Sequence, residues 1–214
     1  MGCRGVPAAV ALALSGCASY GSHLGASTLP AGEDEVSLNA DVLVVDRGLG
    51  PQFLPAPELG YRFGVGRNLD LGGRVNAGSV EANARWRVIQ STFADLALVP
   101  ATGFGFVPAT NEDTGTFNAH LLGSAITGVH LSERSQLVFG PRGGFTYAFP
   151  VTAFRGDPTG DNLFYQVGGV AGVRLPVGQR WYVFPELNVL LPYDTRRDEW
   201  HFPTFQGGVA FQYE

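Results

Sequence analysis

Val80-Glu81-Ala82-Asn83-Ala84-Arg85-Trp86-Arg87-Val88 decides the fold. Successive side chains of a β-strand point to opposite faces. The stretch therefore sorts Val80, Ala82, Ala84, Trp86 and Val88 onto one face, and Glu81, Asn83, Arg85 and Arg87 onto the other. A strand divided in this way separates two media. The same unit, a run of roughly ten alternating residues closed by turn residues, recurs about ten times from Val36 to the last residue with no helical period between. That repetition predicts an all-β chain: a closed antiparallel up-and-down β-barrel of about ten strands, with eight as the alternative.

The neighbouring segments carry the pattern outward. Val36, Leu38, Ala40, Val42 and Val44 oppose Ser37, Asn39 and Asp41; Leu59, Tyr61, Phe63 and Val65 oppose Glu58 and Arg62; Leu69, Leu71 and Val75 oppose Asp70, Arg74 and Asn76. The register of the fifth segment, 92–107, is open to either reading. In the sixth, 116–131, Asn118, His120 and Ser124 share a face. Later segments set Leu137, Phe139, Phe145 and Tyr147 against Gln136, Arg142 and Thr146, then Tyr165 and Val167 against Gln166 and Arg174. The last two place Trp181, Val183 and Leu187 opposite Glu186, and Phe205, Val209, Phe211 and Tyr213 opposite Gln206 and Gln212. Pro141 and Pro185 are awkward inside strands, which take proline mainly at edges and bulges.

Composition narrows the class. The 214 residues include 30 Gly and 15 Phe but only 15% charged residues, against about 25% in a soluble domain, so much of the surface faces something other than water. The net charge of −5 offers no basic stripe, and all fourteen cations are arginines, which argues against nucleic acid. After the leader no apolar run reaches the length of a helical span. Gly64-Val65-Gly66 lacks the rest of a dinucleotide fingerprint, and there is no P-loop, HExxH or CxxC, so no cofactor and no metal are expected.

The N-terminus has its own organisation. Arg4, the apolar run Val6 to Leu14, and Ser15-Gly16-Cys17 follow the charged, apolar and small-residue order of a secretory signal. Leu14-Ser15-Gly16-Cys17 resembles the lipobox of bacterial lipoproteins. That resemblance implies acylation of Cys17, with Ala18 in the next position implying passage to the outer membrane; cleavage after Ala18 is the competing reading. The expected organisation is a signal at 1–17, a flexible tether at 18–33 and a barrel at 34–214. Cys3 lies inside the leader, so a disulfide within the mature chain is excluded.

The connections are expected to alternate. Those at 66–68, 90–91, 132–134 and 176–179 are tight, whereas those near 47–55, 108–115, 151–162 and 192–203 are long. Outer-membrane barrels have short periplasmic turns and longer outer loops, which would leave the N-terminus periplasmic. Together these features resemble the small bacterial outer-membrane β-barrel proteins over about 180 residues. The resemblance implies outer-membrane lipid, the barrel assembly machinery and the lipoprotein sorting machinery as partners; the oligomeric state stays open. The final strand departs from that group's pattern by ending in Glu214 after Tyr213.

If the apolar face is outermost, the lumen holds Arg62, Arg74, Arg85, Arg87, Arg142 and Arg174 together with Glu58, Asp70, Glu81, Asp95 and Glu186. Ions that lose their water cost several kcal/mol each unless paired, so this near-balance points to a pairing network in a plugged or narrow lumen. The expected role is structural, adhesive or small-solute transport, and not enzymatic. His201 with Asp194 and Asp198, and Asp113, Asp157 and Asp161 elsewhere in the outer loops, leave an omptin-like protease as an alternative. His120 and Ser124, about 13 Å apart on one strand face, leave a lipid hydrolase. A periplasmic lipocalin-like binding barrel would show equal alternation with the greasy face inward.

Overall fold

A computed structural model of the chain describes residues 22–46, 51–108, 114–152 and 162–214. Ten long antiparallel strands form one sheet: β1 (Asp34–Asp46), β2 (Pro51–Gly64), β3 (Leu69–Asn76), β4 (Ser79–Gln90), β5 (Ala94–Pro108), β6 (Thr114–His130), β7 (Gln136–Thr152), β8 (Asn162–Pro176), β9 (Trp181–Asp194) and β11 (Thr204–Tyr213). A two-residue strand, β10 (Glu199–Trp200), folds back on the end of β9. Each long strand pairs with the next, and β11 pairs with β1 from Val36↔Tyr213 to Val44↔Phe205. The sheet is therefore a closed barrel, and closure removes the edge strands that an open sheet would expose.

The two faces divide as the period requires. In β4, Val80 and Trp86 are more than half exposed, whereas Glu81 and Arg85 are 5% and 3% exposed. Around the outside stand Tyr61, Phe104, Phe145, Tyr165, Trp181 and Phe211. In β5, Asp95, Ala97, Val99 and Ala101 point inward and Leu98, Phe104 and Phe106 outward, which resolves its register.

Several details differ from the sequence reading. The connections near 47–55 and 108–115 are not long: β1 and β2 continue as a hairpin to Asp46↔Pro51, and β5 and β6 continue to Pro108↔Gly115. Pro51, Pro55 and Pro57 are tolerated because β3 stops at Asn76, opposite Glu58, and beyond it β2 pairs with β1 alone. Pro141 and Pro185 lie inside β7 and β9, beside breaks in the ladders: pairing lapses between Ser124↔Arg142 and Thr127↔Phe139, and between Gly172↔Glu186 and Leu175↔Val183. A shift of register after Arg87 marks a bulge, which leaves Val88 and Ile89 both exposed.

The largest correction concerns the tether. Residues 18–21 lie outside the described residues, but the segment from Ser22 to Leu29 is not a flexible linker. Ser22, His23, Leu24, Gly25, Ala26 and Leu29 are buried. This stretch enters the barrel at the end where the short turns 65–68, 91–93, 131–135 and 177–180 lie, and occupies that half of the lumen. It has no strand partner, so its backbone is satisfied by side chains of the barrel wall.

Candidate functional site: the filled lumen

Most contacts cluster near the short-turn ends of the strands, and the last two lie deeper. At the short-turn rim the Leu29 amide donates to Asp70 at 2.9 Å, and the Ser27 hydroxyl donates to Asp95 at 2.7 Å. At about the same level, the Ala26 amide donates to Gln136 Oε1 at 2.9 Å, and the Gly25 carbonyl accepts from Arg85 Nη1 at 3.0 Å. The His23 carbonyl accepts at 2.6 Å from Gln212, near the short-turn end of β11, while the His23 ring reaches Asp41, deeper in, at 2.8 Å. The Ser22 amide and hydroxyl both donate to the Glu186 carboxylate, at 2.6 and 2.8 Å. The chain thus runs from the short-turn rim toward the other mouth as it is followed back toward residue 22.

The opposite side of the segment is apolar. Leu24 and Ala26 pack in one cluster with Ala97, Val99, Ile126, Val138, Val170, Phe184 and Ala210, all pointing inward from the wall. The lumen is therefore part ionic and part greasy, and the segment presents a matching polar and apolar edge to each. Glycines make room for this filling. A Cβ on Gly103 would lie 2.7 Å from the His120 ring, and one on Gly172 would lie 2.6 Å from the Phe184 ring.

Each lumen residue named from the sequence has a definite place. Asp70 is fully buried between Arg62 and Arg85; Arg85 Nη2 lies 2.6 Å from it and Arg62 reaches both it and Asn83. Arg74 bridges Glu81 at 2.8 Å and Glu58 at 3.7 Å, and the His120 ring faces Glu81 at 3.3 Å. Arg142 donates to Asn188 at 3.3 Å, and Asn188 bonds Glu186. Asp95 sits at the short-turn rim with Arg87 at 3.8 Å and His130 at 3.4 Å. Arg174 pairs with Glu35 at 3.6 Å and with Glu214, its guanidinium 3.5 Å above the Tyr182 ring. Arg87, Asp95 and Arg174 belong to this rim, Asp70 lies beside it, and the others line the interior.

Cys17 lies outside the described residues, as do Asp113, Asp157 and Asp161. Sequence reasoning left Glu35 and Asp41 out of the network and missed Ser22–Leu29 altogether. The one available signal was that Val99, Ile126, Val138, Val170 and Phe184 occupy inward positions, which a purely polar lumen would leave uncovered.

The catalytic candidates have structural neighbours. His201 meets Asp194 at 3.3 Å, but the same carboxylate accepts from the Arg196 and Arg197 amides at 2.8 and 3.1 Å and so pins the turn after β9. His120 turns its Nε2 to Glu81 and lies across the strand from Thr146. Among the described residues no group of three or more His, Cys, Asp and Glu could hold a metal ion. The greasy face is outermost, the reverse of a lipocalin-like binding barrel.

No family model and no curated protein matches the chain. Solved structures resemble it in shape. The attachment invasion locus protein Ail of Yersinia pestis is 14% identical, with 86% of this chain and 99% of that chain covered and a TM-score of 0.39. The translocator domain of the autotransporter NalP from Neisseria meningitidis is 12% identical, covering 85% and 88%, with a TM-score of 0.45. The outer membrane protease OmpT from Escherichia coli is 11% identical, covering 88% and 99%, with a TM-score of 0.39. Likeness at this level carries nothing about activity, ligand or address.

Proposed function

We propose that the chain is a bacterial outer-membrane β-barrel whose lumen is closed by its own N-terminal segment, and that it acts as a structural or adhesive scaffold rather than as an open pore or an enzyme. One contrast carries the reading: Trp86 is 55% exposed on the outside of β4, while Arg85 beside it is 3% exposed and ion-paired within. Exposed apolar surface of this extent is costly in water and suited to hydrocarbon. The aromatic residues favour the same setting. Tyr61, Trp86, Trp181 and Tyr213 stand toward the short-turn end, and Phe53, Phe106, Phe117 and Tyr165 toward the other, as interfacial girdles do. In this orientation the short turns are periplasmic, and link 195–203 lies outside.

Closure follows from the interior. A pore needs water where Ser22–Leu29 now hydrogen-bonds to Glu186, Gln136 and Asp70. The test is direct: membranes bearing the protein should retain it through carbonate extraction, its gel migration should shift on boiling, and liposomes carrying it should not swell in small sugars. Release by carbonate would sink the membrane reading, and swelling would sink the closure.

A further inference from the structure

On the outside of the barrel an open apolar groove of about 1140 Å³ begins at the β2–β3 turn and crosses β4 to β8. Two rows of paired residues form it. One is Leu69↔Trp86, Trp86↔Leu98 and Leu98↔Ala125; the other is Pro100↔Gly123, Gly123↔Gly143 and Gly143↔Val167. The groove exists because Gly123 and Gly143 withhold side chains between the walls made by Trp86, Leu98 and Val167. Five strand spacings give it a length of about 24 Å.

Its beginning is chemically different. Arg67 and Asn68 line that end, and both are exposed. Arg87 is drawn alongside, its Nη2 donating to the Arg67 carbonyl and to Asn68 Oδ1, each at 3.1 Å. The exposed Arg67 thus stands at the short-turn mouth of an apolar furrow, while the Arg87 guanidinium turns in toward Asp95. An amphiphile with an anionic head and a long hydrocarbon tail complements both parts, and a zwitterionic one complements only the second.

We propose that this groove is a binding site for an anionic glycerophospholipid, with its phosphate at Arg67 and one acyl chain laid over Gly123 and Gly143. The inference rests on the membrane-spanning reading. It commits to phospholipid because the cationic end lies at the short turns, which that reading places on the periplasmic side. The site holds one lipid more tightly than the general outer surface does, since the furrow surrounds a chain that a flat wall would only touch.

Native mass spectrometry of the full chain in neutral detergent, with equal phosphatidylglycerol and phosphatidylethanolamine added, tests this. One phosphatidylglycerol should persist, preferred by about fivefold through Arg67. Arg67→Ala should cut that preference about fivefold and leave a lipid adduct. Gly123→Leu should remove the adduct. A Cβ at Gly123 would come no nearer than 4.0 Å to the Gly143 carbonyl, so the groove is filled without a backbone clash. Boiling-dependent migration checks that each variant folds. Equal retention of the two lipids, or a folded Gly123→Leu that still holds phosphatidylglycerol, would overturn the site. Release by carbonate would instead overturn the reading beneath it.

Discussion

The Ser22 backbone amide donates to Glu186 Oε1 at 2.6 Å across 164 positions of sequence. The bond ties the inner end of the N-terminal segment to the middle of β9, and with Leu29 on Asp70 it fixes the segment at two heights of the lumen. A cross-link can report this seating. Replacing Ser27 and Asp95, whose side-chain oxygens lie 2.7 Å apart, by cysteine should give a disulfide under mild oxidation. Tryptic fragments bearing positions 27 and 95 should then stay joined until reduced, and fragments that separate would mean that the segment is not seated.

Asp70 holds two guanidiniums and one amide. Asp70→Ala leaves Arg62 and Arg85 buried without their carboxylate, a change that costs about 3 kcal/mol or more. The variant should unfold at clearly lower urea in detergent micelles. An unchanged midpoint would show that water reaches these guanidiniums freely.

Close approach at glycine gives a contrasting pair. A Cβ at Gly103 would lie 2.5 Å from the Val80 carbonyl and 2.7 Å from the His120 ring, whereas nothing lies within 4 Å of one at Gly178. Gly103→Val should destabilise by about 1–3 kcal/mol, and Gly178→Ala should stay within about 0.5 kcal/mol of the parent. The gel-shift temperature reads both.

The acyl anchor has its own test. Cys17→Ala should abolish palmitate labelling, and labelling that persists would contradict the lipobox reading. Four residues lie between Cys17 and Ser22, so the two are at most about 17 Å of extended chain apart. Ser22 sits at mid-lumen above the filled short-turn half, so a seated segment and an anchor in the periplasmic leaflet exclude each other. Labelled protein should therefore fail to form the 27–95 cross-link; full cross-linking of labelled protein would refute this exclusion.

The two faces of the wall were legible because the strand period is local: Arg85 and Trp86 are sorted by being adjacent. The ladder breaks beside Pro141 and Pro185 could be suspected from proline chemistry, but their extent depends on which strand lies alongside. The same holds for β2, whose prolines look like a long loop until β3 proves too short to need their hydrogen bonds. The seated segment left a single trace, the apolar residues at inward positions of the wall. Ser22, Gly25 and Ser27 read as linker because their partners, Glu186, Arg85 and Asp95, are distant in the chain and no periodicity joins them. Charge counting fell short for a related reason: it pairs ions with ions, whereas Glu186 and Asp70 also accept from backbone amides.

Planar-bilayer recording of the full chain beside a variant lacking residues 22–30 tests the central claim most directly. The full chain should be silent, and the shortened chain should conduct in discrete steps through the space that the segment occupies. Discrete steps of equal size from both proteins would contradict a lumen closed by its own N-terminal segment.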